Sequence, residues 1–199
     1  MVTGAITLYP LFGDKTYVEP TTKKTFRHLP CLSTEGFPIH ITVSEDIFNT
    51  YMEAIMENDW NAINKFVVWG SIKSVNEVTQ GQGLSNIYIR VESITPTDYK
   101  GNVNTFSLTS HATDECISDN SNNYYWIAAN KSIINQDEQK KKPSYMYLTT
   151  DKDFAVQDKD ILQGTVKIIE HKNMLMLKAV DVEVNSACRL LAEELLEDN

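Results

Sequence analysis

The fold is decided by two stretches near the middle of the chain, Phe66-Val67-Val68-Trp69-Gly70-Ser71-Ile72 and Asn86-Ile87-Tyr88-Ile89-Arg90-Val91-Glu92. In both stretches apolar and polar side chains alternate, which is the period of a strand with one buried face. The glycine-rich segment 79–83 between them predicts a flexible turn, so the two strands form a hairpin. Gly70 indicates a bulge or a sharp bend, as at the corner of a barrel. The polar face of this hairpin carries Trp69, Lys73, Tyr88 and Arg90.

A second hairpin is predicted close to the C-terminus. One strand covers 161–169, a turn follows at 171–173, and the other strand covers 174–184. The asparagine in this turn tolerates positive φ. Earlier in the chain, residues 39–43 alternate and predict a strand. Ser44 then caps a helix predicted over 44–59, whose first turn contains carboxylates that favour the positive end of the helix dipole.

The remaining segments give weaker patterns. Residues 1–38 show no sustained period and predict an extended arm with one or two short strands, which together with the helix forms an N-terminal arm over 1–64. Residues 113–123 are polar and predict a loop inside an insertion at 110–144. Residues 185–199 predict a C-terminal helix that Asn185 caps. We therefore predict a single domain over residues 1–199, mainly β with a few helices.

Composition limits the classes of protein that the chain can belong to. The formal net charge is −9 and the isoelectric point is about 4.9. A basic balance would have pointed to nucleic acid through counterion release. The acidic balance argues against nucleic-acid binding by the molecule as a whole, but it permits a local basic face.

The sequence lacks the motifs of catalytic and metal centres. Its three cysteines and four histidines are scattered, without C-x-x-C or H-E-x-x-H spacing, so we expect reduced thiols, no metal and no cofactor. No serine or cysteine has the setting of a nucleophile, and Gly81-Gln82-Gly83 is not followed by the residues of a phosphate-binding loop. We expect no enzyme activity. No signal peptide or long apolar run is visible, which predicts a cytoplasmic protein, or one of the host nucleoplasm or cytoplasm if it is viral, with no membrane partner.

Aromatic residues beside basic ones point to a binding surface. An exposed ring that stacks on a base contributes about 1–3 kcal/mol, and nearby Lys or Arg side chains neutralise phosphates. The candidate nucleic-acid-binding residues are Trp69, Lys73, Tyr88, Arg90, Tyr124, Tyr125, Trp126, Lys131, Lys140, Lys141 and Lys142. Each ring is also compatible with core packing. The lysine run is also compatible with a solvated loop, because Asp137 and Glu138 precede it.

The acidic C-terminal segment allows three roles. It is a solvated helix, a docking helix for a partner, or a competitor of nucleic acid for the binding groove. The candidate partner-binding residues are Leu191, Leu195, Glu193, Glu194, Glu197 and Asp198.

Four strand segments, 66–72, 86–92, 162–168 and 174–178, resemble the OB-fold, a five-stranded Greek-key barrel. The chain is also similar to viral and phage single-stranded DNA-binding proteins, which combine an OB barrel with an acidic C-terminus. The resemblance implies a barrel over 65–184 that carries the insertion at 110–144. The chain departs from that pattern because no Gly/Pro-rich linker precedes the tail and because it ends in Asn199 rather than an aromatic residue.

We predict sequence-independent binding of single-stranded DNA in replication or recombination, with replication or recombination proteins as partners of the acidic C-terminus. The alternative is a protein-binding or structural module of a virus, phage or mobile element that has no nucleic-acid activity. The negative net charge and the leucines of the tail support this alternative.

Overall fold

The computed structural model describes residues 1–11, 13–18, 22–57, 65–74, 87–97, 101–119, 122–129, 144–157, 160–187 and 190. Within these residues the elements are β1 (Val2–Pro10), β2 (Lys15–Val18), β3 (Thr25–Ser33), β4 (Pro38–Ser44), α1 (Glu45–Glu57), β5 (Phe66–Ser74), β6 (Ile87–Pro96), β7 (Asn104–Asp119), β8 (Asn122–Ala129), β9 (Ser144–Thr150), β10 (Ile161–His171) and β11 (Met174–Asn185). The protein is mainly β, as predicted. None of the helical segments in this part of the chain is long and apolar enough to cross a membrane.

Strands from the N-terminal half close a first barrel. β1 pairs with β5, β5 with β6, β6 with β4, β4 with β3, and β3 returns to β1. All these pairs are antiparallel except β4 with β6, which is parallel. In chain order, α1 connects the third strand of this barrel, β4, to the fourth, β5. This is the five-stranded OB arrangement.

Strands from the C-terminal half close a second barrel with the same connectivity. β7 pairs with β8, β8 with β9, β9 with β11 in parallel, β11 with β10, and β10 returns to β7. Between the third and fourth strands in chain order, the described residues 151–157 and 160, which include Phe154 and Asp160, form no helix and take the place of α1. The chain therefore contains the OB-like circuit twice.

The two barrels are joined through their first strands. β1 and β7 pair antiparallel, with Val2 opposite Leu108, Gly4 opposite Phe106 and Ile6 opposite Asn104. A Cβ atom on Gly4 would lie 2.5 Å from the Cα of Phe106, so only glycine allows this close approach. The sheet consequently continues from one barrel into the other.

The buried apolar side chains of the two barrels belong to one hydrophobic cluster. In the first barrel Tyr51 of α1 packs on Phe66 with 4.7 Å between ring centroids, so the helix covers one end of the barrel. Ser44 caps α1 as predicted, because its hydroxyl accepts a hydrogen bond from the Ile47 backbone N–H at 3.4 Å. In the second barrel Phe154 packs on Tyr125 at 5.5 Å between centroids.

Several predicted elements are confirmed. The bulge at Gly70 is present as a register shift between Trp69 and Gly70. The second hairpin turns through Lys172 and Asn173, both with positive φ. Asn185 accepts a hydrogen bond from the Ala187 backbone N–H at 3.0 Å, which fits a cap, but the C-terminal helix over 185–199 stays a prediction. Residues 191–199 lie outside the described residues.

Two predicted segments are corrected. The extended arm is instead part of the first barrel, because β1, β3 and β4 supply three of its five strands. The boundaries of the predicted barrel change accordingly: β5 and β6 close the first barrel, and 104–185 form the second. The loop predicted at 113–123 is strand up to Asp119 and again from Asn122, because pairing of its backbone with β8 does not require apolar side chains.

Candidate functional site

Five strands of the N-terminal half place aromatic and basic side chains on one outer surface of the first barrel. We call it the aromatic face and define it by Lys15, Tyr17, His28, His40, Lys73, Tyr88 and Arg90. Ile39, Ile41, Ile87 and Ile89 are buried in the barrel. Because successive side chains of a strand alternate between its faces, the residues beside these isoleucines point outward.

The strand register brings these outward residues side by side. His40 lies opposite Tyr88, and Tyr88 lies opposite Lys73 on the next strand. Lys15 lies opposite His28 across the β2–β3 pair. The face therefore runs without interruption across β2, β3, β4, β6 and β5.

Three rings form a row on this face. The ring centroids of Tyr17 and His28 are 6.1 Å apart, and those of His28 and Tyr88 are 6.4 Å apart, both in edge-on geometry. Thr42 lies between the strands of His28 and Tyr88 and is small enough for the rings to meet across it. Its hydroxyl is hydrogen-bonded to His28 Nδ1 at 2.9 Å and fixes the orientation of that ring.

Three cations border the row of rings. The Arg90 guanidinium lies 5.0 Å from the centroid of the Phe26 ring, a cation–π contact. Burial lowers the pKa of the Lys73 ammonium, the charge of Arg90 lowers it further, and Glu92 acts in the opposite direction. Within the described part of the chain, no carboxylate oxygen lies within 4 Å of the charged nitrogens of Lys15, Lys73 or Arg90.

Arg27 has a different environment. Its guanidinium forms 2.7 Å contacts with both Asp14 and Glu45, and it lies 4.3 Å from the centroid of Phe48. These carboxylates neutralise its charge, and they raise its pKa. Arg27 therefore ties β3 to α1 and adds no free charge to the aromatic face.

The corresponding surface of the second barrel is formed by β8, β9, β11 and β10. Tyr124 lies opposite Thr149, Thr149 lies beside Lys178, and Lys178 lies opposite Lys167. The Tyr124 hydroxyl is 3.4 Å from Nε2 of His171. A ring and two lysines thus occupy the positions that rings and cations occupy on the first barrel.

Farther along β10 and β11, the outer surface of the second barrel is acidic. A polar cleft of about 420 Å³ is lined by Ser107, Thr109, Gln163, Asp181 and Glu183. The two carboxylates alternate with Val182 along β11, so both point outward. An anionic polymer would be repelled from this cleft.

The structure separates the residues that the sequence suggested for binding. It brings Lys73, Tyr88 and Arg90 together, as predicted. It places Trp69 farther along β5, opposite Ser93, with 48% of its surface exposed. Tyr124 is half-buried on the second barrel.

Tyr125 is a correction. It is 1% exposed, its hydroxyl donates to Asp153 at 3.2 Å, and it accepts from the Phe154 backbone N–H at 2.8 Å. A ring inside the barrel cannot stack on a base, so Tyr125 is a core residue. The run Tyr124-Tyr125-Trp126 contains no polar residue that would have revealed which of its rings faces inward.

The other candidates cannot be placed to the same extent. Of Trp126 the structure describes the backbone, which pairs with that of Tyr147. Lys131, Lys140, Lys141 and Lys142 lie outside the described residues, and so do the tail residues Leu191, Leu195, Glu193, Glu194, Glu197 and Asp198.

Sequence reasoning missed Lys15, Tyr17, His28 and His40. All four belong to the segment that was predicted to be an arm. The alternation of the predicted strand 39–43 contains the signal for His40, because His40 is a polar residue between two apolar ones. The pattern around His28 is broken by Pro30, which lies within β3 opposite His40.

Comparison with known proteins identifies the class of fold. No protein-family model matches the chain, and no curated protein matches its sequence significantly. Among solved structures, it is similar to the wild-type single-stranded DNA-binding protein from Thermus aquaticus, with a TM-score of 0.55 and 9% identity over 92% of both chains. It is also similar to a deletion mutant of that protein, with a TM-score of 0.52 and 11% identity over 92% of this chain and 94% of the other. At such identities the similarity establishes the fold alone.

Proposed function

We propose that the protein binds single-stranded DNA without sequence preference through the aromatic face of the first barrel. The observation that carries this proposal is the row of Tyr17, His28 and Tyr88 beside three cations that lack carboxylate partners within the described residues. Rings accept any base, because every base has a π-face, and cations track the phosphates. Two solved structures of similar fold are those of a single-stranded DNA-binding protein, which agrees with this assignment.

The charge distribution explains how an acidic protein binds an anionic polymer. The net charge is −9, yet Lys15, Lys73 and Arg90 share one outer surface, while Asp181 and Glu183 line the cleft of the other barrel. The local potential governs where DNA lies on the surface. We assign phosphate contacts to the three cations, and base stacking to Tyr88, His28 and Tyr17.

We propose that the bound DNA strand extends beyond the aromatic face. Trp69 is the most exposed ring of the first barrel that the structure describes, and it extends the stacking surface along β5. On the second barrel, Tyr124 supplies a ring and Lys178 supplies charge, and the roles predicted from the sequence for Trp126, Lys131 and the lysines 140–142 stay part of the proposal. The sequence-derived role in replication or recombination, the docking of partner proteins on the acidic tail, the viral or phage type and the cytoplasmic location are part of this proposal.

The test compares matched variants in a mobility-shift assay with oligothymidine at low salt. Tyr88→Ala removes a ring, whereas Tyr88→Phe keeps it. We expect the alanine variant to bind about 5- to 150-fold more weakly, which corresponds to about 1–3 kcal/mol for one stacked base, and the phenylalanine variant to bind like the wild type.

A charge-reversal pair completes the test. Arg90→Glu should weaken binding and reduce the salt dependence of the dissociation constant, because one phosphate contact is lost. Lys152→Glu makes the same change of net charge at an exposed residue outside the face and should leave binding nearly unchanged. Equal effects of the two changes would contradict the assignment. Absence of any shift at micromolar protein would favour the protein-binding alternative.

A further inference from the structure

We propose that DNA binding at the aromatic face is coupled to protonation of His28 and His40, so that the protein takes up protons as it binds and holds single-stranded DNA more tightly at mildly acidic pH. This inference rests on the proposed function and concerns the regulation of the same site. It goes beyond a static role for the cations, because it assigns charge that appears only when DNA is present.

The two histidines lie at the centre of the face. His28 belongs to β3, and its ring is the middle member of the row between Tyr17 and Tyr88. His40 belongs to β4 and lies opposite Tyr88. Both rings are half-buried, and a DNA strand that stacks on this row passes beside them.

The groups around the histidines are cationic or neutral. From β2, Lys15 and Tyr17 face His28. From β4, Thr42 contacts it and His40 stands nearby, and from β6 come Tyr88 and Arg90. Among the described residues, no carboxylate is a cause of the shift of either histidine. In the free protein, the charged groups that act on the two rings within the described residues, Lys15 and His40, both oppose a further proton.

This environment disfavours the charged form of both rings in the free protein. Burial lowers the pKa of His28, and the charges of His40 and Lys15 lower it further. Burial and the charge of Lys15 lower the pKa of His40 in the same way. A phosphate beside the rings would reverse the sign of the local potential and raise both pKa values.

The hydrogen bond of His28 tolerates both protonation states. The Thr42 hydroxyl is 2.9 Å from Nδ1 and can donate to the neutral ring or accept from the protonated ring. The ring therefore gains a proton without leaving its position between the two tyrosines. The site is ready for proton uptake without a rearrangement.

The sign of the pH effect follows from linkage. If the histidine pKa values are higher in the complex than in the free protein, binding takes up protons between the two values. Affinity is then highest below the pKa of the free protein and declines as pH rises through the pKa of the complex. A rise of about one unit for one histidine tightens binding about tenfold at the acidic end, so the pair provides up to about 100-fold.

The experiment must separate this effect from the general loss of negative charge as pH falls. We would measure the dissociation constant for oligothymidine from about pH 8 to about pH 5 at constant ionic strength. Thymidine neither gains nor loses a proton in this range. The test variant is His28→Asn with His40→Gln, in which the asparagine amide replaces Nδ1 towards Thr42. The control is His111→Gln, which removes an exposed imidazole on β7 of the second barrel.

We expect the wild type and the control to bind at least tenfold more tightly at the acidic end, and the double variant to lose most of this gain. A double variant with the same pH dependence as the wild type would overturn the inference. So would a wild type whose affinity does not change with pH. Absence of binding at every pH would instead contradict the proposed function, and the inference that rests on it would fail as well.

A second measurement does not depend on the folding of the variants. Proton NMR titration of the wild-type histidine rings, with and without oligothymidine, should show the pKa values of His28 and His40 rising on binding, with His111 as the internal reference. Unchanged values for both rings in the saturated complex would overturn the inference.

Discussion

The two barrels share their connectivity and differ in nearly everything that faces water. The first has a helix over one end and a face of rings and cations, whereas the second has an irregular segment in place of the helix and an outward acidic cleft. Connectivity is set by the inward residues and by a few backbone positions. The outward residues are free to differ, and in this chain the basic aromatic surface of the first barrel has no full counterpart among the described residues of the second.

The fourth strand of each circuit shows which backbone positions matter. Gly70 of β5 and Gly164 of β10 both lie at or beside a shift of register with the following strand. A Cβ atom at Gly70 would lie 2.2 Å from the Arg90 carbonyl oxygen, and one at Gly164 would lie 2.0 Å from that of Asp181. Glycine lets the strand bend sharply against its neighbour, and both barrels depend on it for closure.

The largest expected effect is a difference in stability between alanine substitutions at Gly164 and at Gly70. Gly164→Ala meets a backbone clash and also a φ of +142°, whereas Gly70→Ala meets only the clash. We expect Gly164→Ala to lower the free energy of unfolding by about 4 kcal/mol or more, and Gly70→Ala by less. Chemical denaturation measures both.

Gly36→Ala is the control for this comparison. Its φ is +94°, but nothing lies within 4 Å of the added methyl group, so strain acts without a clash. We expect a loss of about 1–2 kcal/mol. A similar loss for Gly164→Ala would mean that the neighbouring strand yields and that closure does not need glycine there.

A smaller effect tests how the second barrel closes its helix-free end. Tyr125→Phe removes the hydroxyl that bonds to Asp153 and to the Phe154 backbone, and it leaves the buried Phe154 N–H without that partner. We expect a loss of about 1–3 kcal/mol in denaturant unfolding. Tyr124→Phe, on the outer surface, should cost less. Equal losses would show that the Phe154 segment is not held by this hydroxyl.

The smallest effect is a pH dependence confined to the first barrel. Burial lowers the pKa of His28 and of His40 in the folded protein, so the unfolded chain binds protons more readily. Their contribution to stability is complete above the ordinary histidine pKa of about 6.5 and declines as pH falls towards the folded values. Thermal unfolding without DNA should show this decline, and the double variant His28→Asn with His40→Gln should show less of it. If the stability of the variant declined more steeply with falling pH than that of the wild type, the predicted direction of the histidine effect would be wrong.

The pairing of strands that are neighbours in sequence could be predicted, whereas the pairing of strands that are distant in sequence could not. The hairpin of β5 and β6 follows from alternation and one glycine, and its phase places Lys73, Tyr88 and Arg90 outward. Nothing local indicates that Ile6 pairs with Val68, because the pairing of distant strands leaves no periodic trace in either. One barrel was therefore predicted where two exist.

The same limit explains which site residues were missed. Strand pairing brings Tyr17 to His28, and His28 to Tyr88, although the last two are separated by a helix and two strands in sequence. A proline within β3 hides the alternation that would have shown His28 to face outward. The phase of Tyr124-Tyr125-Trp126 is ambiguous for a different reason, since a shift by one residue exchanges the two faces of a strand.

The pairing of β1 with β7 has a consequence for biosynthesis. β1 is synthesised about 100 residues before β7, which is about 5–20 s at usual translation rates. The first barrel has all its strands only once β6 is complete at Pro96, and from then until β7 pairs, the edge from Val2 to Ile6 presents unpaired backbone N–H and C=O groups. When two ribosomes translate one messenger RNA, the unpaired edges of two nascent chains can pair with each other until Asn104–Leu108 are synthesised. Translation that is slowed between residues 96 and 104 should therefore increase the yield of entangled dimers, and this follows from where the protein joins its two halves.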